Sequence, residues 1–196
     1  MSNFNVSSLL SRFGHQRDPL ADSLAEPEKK ILFVCTGNIA RSASAQYIAT
    51  QLAGETTWTF DSAGIGAVVG APVAEHIDAE LDRRGVNHTG HRAKQLTEDM
   101  VASSALVLCM EKEHLDWIVR EWPKYRSRVH LLKQMARLRE NAGRRADPVS
   151  FMMQQDVAPQ RGDAIADPYR RGEDAAATAV SQVESSLEVI VPWLGK

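Results

Sequence analysis

Several things are scarce in this 196-residue chain, and each shortage excludes a class of protein. Only two cysteines are present, Cys35 and Cys109, in unlike surroundings. They do not make a disulfide framework, which points to a reducing compartment. No apolar run approaches the length of a bilayer-spanning helix, and the N-terminus offers only Leu9-Leu10 where a signal peptide needs a longer apolar core. A formal net charge of −2 disfavours a nucleic-acid-binding surface. His15, His76, His114 and His130 have no metal-ligand spacing with a cysteine or carboxylate. With 43% hydrophobic residues the chain can bury a core without staples. The expectation is one cytoplasmic domain with no metal and no cofactor.

What is present is organised around Ile31-Leu32-Phe33-Val34-Cys35-Thr36-Gly37-Asn38-Ile39-Ala40-Arg41-Ser42. Four apolar residues, two of them β-branched, read as a short strand buried on both faces, as parallel strands are in α/β proteins. The strand stops at a cysteine, and Gly37 and Asn38 then supply residues able to take unusual backbone angles. From Arg41 to Gly54 the apolar residues Ala45, Ile48, Ala49 and Leu52 recur at helical spacing, so the loop lies at a helix N-terminus, where free N–H groups favour an anion. The helix terminus and Arg41 both favour thiolate over thiol at Cys35. The same amides can cradle the equatorial oxygens of a phosphoryl group, and a guanidinium can hold two of them. This combination predicts phosphoryl transfer to sulfur.

The stretch resembles the signature of the low-molecular-weight protein tyrosine phosphatases of bacterial type: Cys35, Gly37, Asn38, Arg41 and Ser42 match it in place, and the likeness runs from about Lys30 to the C-terminus. It does not reach residues 1–29, which are rich in Ser, Asn, Asp and Arg and contain Pro19 and Pro27. Those residues read as a flexible N-terminal extension to a phosphatase-like domain over residues 30–196. The resemblance makes Thr36 to Ser42, including Ile39 and Ala40, a phosphate-binding loop. It also implies that Ser62, in Asp61-Ser62-Ala63-Gly64, supports Asn38, and that His91 joins that support.

The remaining chain alternates strands with helices. Residues 56–60, 105–110 and 128–132 read as further strands. Helices are expected over 73–84, 111–121 and 173–193, with a short one begun by Thr97. Alternation of this kind implies right-handed crossovers, hence a four-stranded parallel α/β sheet flanked by helices on both faces. Cys109 reads as packing within an apolar run. Residues 133–166, with Gly143, Pro148, Pro159 and Gly162 among several arginines, read as irregular.

A thiol displacing an alkoxide or phenoxide needs an acid from another element to protonate the leaving oxygen. The family resemblance places that acid in an Asp-Pro-aromatic motif just before the last helix, which Asp167-Pro168-Tyr169 matches; Asp147-Pro148 lacks the aromatic. The implied reaction is hydrolysis of phosphotyrosine on proteins through a cysteinyl-phosphate, with Cys35 as nucleophile, Arg41 as clamp, Asp167 as acid then base, and Tyr169 along the cleft wall. A tyrosine-phosphorylated protein is the implied partner, with a bacterial tyrosine kinase of exopolysaccharide synthesis as a candidate. Against the family pattern stand Ala40 in place of a second cysteine, Ala43 and Gln46 in place of proline and glutamate, and no tryptophan in residues 65–69. Two other readings are an arsenate reductase drawing on an external thiol and an inactive phosphotyrosine-binding module.

Overall fold

The computed structural model describes residues 27–195, so residues 1–26 of the expected extension lie outside the described residues. Four strands form one sheet: β1 (Glu28–Cys35), β2 (Thr59–Gly64), β3 (Ser104–Cys109) and β4 (Val129–Leu131). Their order is β2-β1-β3-β4 and every pairing is parallel, with Cys35 level with Gly64 and Val34 level with Cys109.

Alternation along β1 divides the core. Ile31, Phe33 and Cys35 face one side, where they pack with α1 (Arg41–Ala53), α2 (Glu75–Arg83), α5 (Leu132–Leu138), α6 (Pro148–Met153) and the long α7 (Glu173–Leu194). Leu32 and Val34 face the other, with Val107, Cys109 and the side chains of α3 (Glu98–Ala102) and α4 (Lys112–Glu121). Helices therefore cover both faces, and the central stretches of β1 (Ile31–Cys35) and β3 are buried throughout because neither face meets water there.

Chain order leads out from β1 to β2 and then back across to β3 on the other side of β1. Such a reversal leaves a crevice at the carboxyl ends of the central strands, where α/β proteins bind ligands. Cys35 is the last residue of β1 and lies at that reversal.

Three expectations are corrected. The second strand begins at Thr59 and takes in Asp61-Ser62-Ala63-Gly64, while Thr56 and Thr57 precede it. Trp58 interrupted the pattern because its burial serves another contact: its Nε1 donates to the Leu194 carbonyl at the end of α7 (2.9 Å). Residues 133–166 are more ordered than expected, since α5 buries Leu132, Met135 and Leu138 and α6 starts at an Asp147 cap whose Oδ1 accepts from Ser150 N–H. Leu132 accordingly opens a helix instead of ending β4. The end of α7 has a second tryptophan anchor, Trp193 Nε1 to the Ala146 carbonyl (2.9 Å), and Trp117 meets Trp122 edge to face.

Candidate active site

Residues 36–40 bridge β1 and α1, and the N–H groups of residues 37–40 find no acceptor within the protein among the described residues. With the amino end of α1 they form a ring of outward donors, an arrangement suited to an anion. Asn38 holds the ring in shape. It has a left-handed φ of 54°, uncommon for a residue with a side chain, and it is fully buried.

Four contacts fix that conformation. Asn38 Nδ2 donates to Ser42 Oγ (3.0 Å) and Ser62 Oγ (2.9 Å), Lys94 N–H donates to Asn38 Oδ1 (2.8 Å), and His91 Nε2 lies 2.8 Å from the Asn38 carbonyl oxygen. A carbonyl can only accept, so Nε2 is the protonated nitrogen of His91. Burial pushes the His91 pKa down, and the nearby Lys94 and Arg92 charges act the same way. Ser62 Oγ in turn donates to Gln46 Oε1 (2.6 Å), so Gln46 closes the network from α1.

Cys35 Sγ lies 2.9 Å from Ser42 Oγ. Because Ser42 Oγ already accepts from Asn38, its own proton is left for the sulfur or for the more distant Ala63 carbonyl (3.4 Å). Cys35 is 2% exposed and forms the floor of a cleft of about 180 Å³. Thr36, Ile39, Arg41, Val68, Asp167 and Tyr169 are among its walls, and Tyr169 stands at the rim, 45% exposed.

Arg41 is buried and held from two directions. Its Nη1 donates to Glu111 Oε2 (2.5 Å) and to the Ile165 carbonyl (2.8 Å), and its Nη2 lies 3.4 Å from Asp167 Oδ1. Its Nε has no partner among the described residues. A buried donor without an acceptor is costly, and an anion in the neighbouring ring of amides would supply the missing acceptor. Ile165 also anchors the loop that carries Asp167, through its N–H to the Met110 carbonyl (2.9 Å), and Asp163, two residues earlier, takes a two-point contact from Arg137 of α5 (2.8 and 3.0 Å).

The fold thus brings together Cys35, Thr36, Gly37, Ile39, Ala40, Arg41, Asp167 and Tyr169 as cleft lining, with Asn38, Ser42, Ser62 and His91 behind them. Asp147 is elsewhere, as the cap of α6. Cys109 is fully buried on the opposite face of the sheet from Cys35, and burial drives its thiol pKa far up. Sequence reasoning missed Glu111 and His114. The usable signal was position: Glu111 follows the end of β3, the strand beside β1, so its carboxylate arrives where β1 ends. Among the described residues no group of three or more His, Cys, Asp and Glu side chains could hold a metal ion. Also among the described residues, no helix is long and apolar enough to cross a membrane.

Comparison with known proteins agrees with this geometry. A family model described as low molecular weight phosphotyrosine protein phosphatase matches residues 30–156. The curated relative named Probable low molecular weight protein-tyrosine-phosphatase AmsI, of Erwinia amylovora, is 30% identical over 166 residues, covering 85% of this chain and 97% of its own. A crystal structure of the Erwinia amylovora tyrosine phosphatase AmsI superposes with a TM-score of 0.69 at 28% identity, covering 88% of this chain and 97% of that one. A protein-arginine-phosphatase of Geobacillus stearothermophilus is 29% identical over 161 residues, covering 81% of this chain and 96% of its own.

Proposed function

Because the chain belongs to the low molecular weight phosphotyrosine protein phosphatase family, we propose that it hydrolyses phosphotyrosine on proteins by way of a phosphorylated Cys35. The observation that supports this reading best is the unpartnered, buried Arg41 Nε beside a ring of free loop amides, with a cysteine sulfur at their base. Those donors match the charge that three equatorial oxygens carry during phosphoryl transfer.

The reaction runs in two displacements. Cys35 sulfur attacks phosphorus, the sulfur–phosphorus bond forms and the ester oxygen leaves, taking the proton of Asp167. Water then attacks phosphorus, Asp167 accepts its proton, and the sulfur–phosphorus bond breaks. The Ser42 hydroxyl, aimed at the sulfur by the Asn38 contact, stabilises the departing thiolate. Glu111 and the Ile165 carbonyl hold Nη1 of Arg41, which leaves Nε and Nη2 as the pair facing the phosphoryl oxygens.

The cleft favours an aromatic leaving group. Ile39, Val68 and Tyr169 offer apolar contact to a phenyl ring, whereas the donors of a guanidinium would find one carboxylate in the lining, Asp167. Arsenate reduction with an internal relay is opposed by Cys109, which the sheet separates from Cys35. An inactive binding module is opposed by retention of Cys35, Arg41 and Asp167. Because the reaction uses a free thiol, the site suits a reducing compartment, and we place the enzyme in the cytoplasm. A tyrosine-phosphorylated protein is its partner, and a bacterial tyrosine kinase of exopolysaccharide synthesis is the candidate the family resemblance supplies.

The test is parallel assay with phosphotyrosine, phosphoserine, phosphoarginine and arsenate, using Cys35→Ser as control. Phosphotyrosine should be turned over fastest, and Cys35→Ser should lose turnover while still binding phosphate or vanadate. Substantial activity in Cys35→Ser would remove Cys35 as nucleophile, and a preference for phosphoarginine would replace the tyrosine reading.

A further inference from the structure

His114 is fully buried in the first turn of α4, and neither the nucleophile nor the acid uses it directly. Its ring touches two groups. Glu111 N–H donates to Nδ1 (3.1 Å), and Nε2 lies 3.0 Å from Thr36 Oγ1. A donor pointed at Nδ1 requires that nitrogen to be unprotonated, so the ring proton is on Nε2. The contact to Thr36 therefore runs from Nε2–H to the hydroxyl oxygen. That assignment leaves the Thr36 hydroxyl proton free, and among the described residues it has no acceptor in the protein. Thr36 is exposed and lines the cleft beside Cys35.

The backbone of His114 makes the reciprocal contact, its N–H donating to the Glu111 carbonyl oxygen (3.2 Å). Glu111 is the carboxylate that holds Arg41 Nη1. One residue thus touches Thr36 at the mouth of the loop and, through ring and main chain together, fixes the backbone of Glu111, the residue whose carboxylate holds the Arg41 clamp.

We propose that His114 is a positioning residue for phosphate binding, and that Thr36 is a further ligand contact whose hydroxyl His114 turns outward to donate to an oxygen of the bound phosphoryl group. The inference rests on the phosphatase reading of the cleft. A neutral ring is essential to it, because a proton on Nδ1 would oppose the Glu111 N–H. Burial and the Arg41 charge keep the ring neutral, pushing its pKa down to about 4.

The experiment measures binding of inorganic phosphate by calorimetry alongside turnover of phosphotyrosine, for the wild type and for Thr36→Ser, Thr36→Val, His114→Asn and the Thr36→Val/His114→Asn double variant. The side-chain amide introduced by His114→Asn can accept from Glu111 N–H but is too short to reach Thr36. Thr36→Val should weaken phosphate about tenfold or more, as loss of a hydrogen bond to a charged group does, and Thr36→Ser should restore it. His114→Asn should weaken phosphate in the same direction, and the double variant should be no weaker than the worse single variant, because both remove one interaction. A merely structural His114 would lower the melting temperature without that non-additivity. Since Thr36 is exposed, Thr36→Val carries the test even where His114→Asn folds poorly. Wild-type phosphate affinity in Thr36→Val, or additive losses in the double variant, would overturn the proposal with the phosphatase reading intact. A wild type that neither binds phosphate nor turns over phosphotyrosine would overturn both.

Discussion

Gly64 and Thr36 meet backbone to backbone: a β-carbon on Gly64 would lie 2.3 Å from the Thr36 carbonyl oxygen and 3.0 Å from the Asn38 nitrogen. The end of β2 therefore runs directly beneath the loop that follows β1, and the same Thr36 carbonyl accepts from Gly66 N–H (3.0 Å). Gly64→Ala must push backbone against backbone, which is not relieved by turning a side chain. We expect a loss of about 1–3 kcal/mol of stability, read by urea denaturation, together with weakened phosphate binding. Unchanged phosphate affinity would mean that the loop shape does not depend on this approach.

Asp167→Asn should cost about 10²- to 10⁴-fold with a poor leaving group and far less with one that departs without a proton. Rates for phenyl phosphate and an activated aryl phosphate separate the two cases. Equal losses for both would assign Asp167 a structural role, through its contact with Arg41.

Glu111→Ala should free Arg41 Nη1 and lower kcat/KM by about tenfold or more, as the guanidinium loses its fixed orientation. Arg41→Lys should fail more completely, because an ammonium cannot span two oxygens in a plane. Steady-state kinetics on both variants decide the point: a fully active Glu111→Ala would show that the Ile165 carbonyl alone suffices to orient Arg41.

Stability should fall on mild acidification. Burial pushes His114 and His130 down to about 4 from an ordinary value of 6.5. Below the ordinary value the unfolded chain takes up protons that the folded chain refuses until about pH 4. Stability is therefore full above that ordinary value and drops between the two, by at most roughly 1.4 kcal/mol per pH unit for each histidine. His88, raised by the Val86 carbonyl and the Asp78 carboxylate against an opposing burial effect, works in the other direction near the surface. Urea midpoints should decline stepwise from neutral pH to about pH 5, and His130→Gln should flatten the slope. Midpoints independent of pH over that range would contradict the burial of both rings.

Peroxide should inactivate the enzyme with little recovery by dithiothreitol. Ala40 puts no thiol beside the nucleophile within the loop, and Cys109 is across the sheet, so no thiol in the chain can condense with an oxidised Cys35. The sulfur lines the floor of the cleft, so bound phosphate should slow the loss. Ala40→Cys should restore recovery. Full recovery of the wild type, with Cys35 and Cys109 found linked by mass spectrometry, would refute the separation of the two sulfurs.

The parts legible from sequence were those in which chemistry and local pattern coincide. Ile31 to Cys35 reads as a strand because both faces are buried, and the Cys35 to Ser42 loop has few other uses. Thr56 to Trp58 misled because an apolar residue can serve a helix end as well as a sheet. Leu132, Met135 and Leu138 stand at helical spacing, but the scattered arginines around them hid the pattern, and Arg137 turned out to hold Asp163. Glu111 and His114 were beyond local reading. Their importance comes from strand order, which brings the end of β3 beside the end of β1.

The four tryptophans have a practical consequence for anyone who follows this protein by its light. Trp58 and Trp193 anchor the far end of α7, Trp117 and Trp122 face each other near the end of α4, and none lines the cleft, where Tyr169 is the lone aromatic ring among the described residues. Indole emission should therefore follow unfolding closely and stay constant when phosphate enters. A spectral change on adding phosphate would report motion carried to the helix ends, well away from the bound ion.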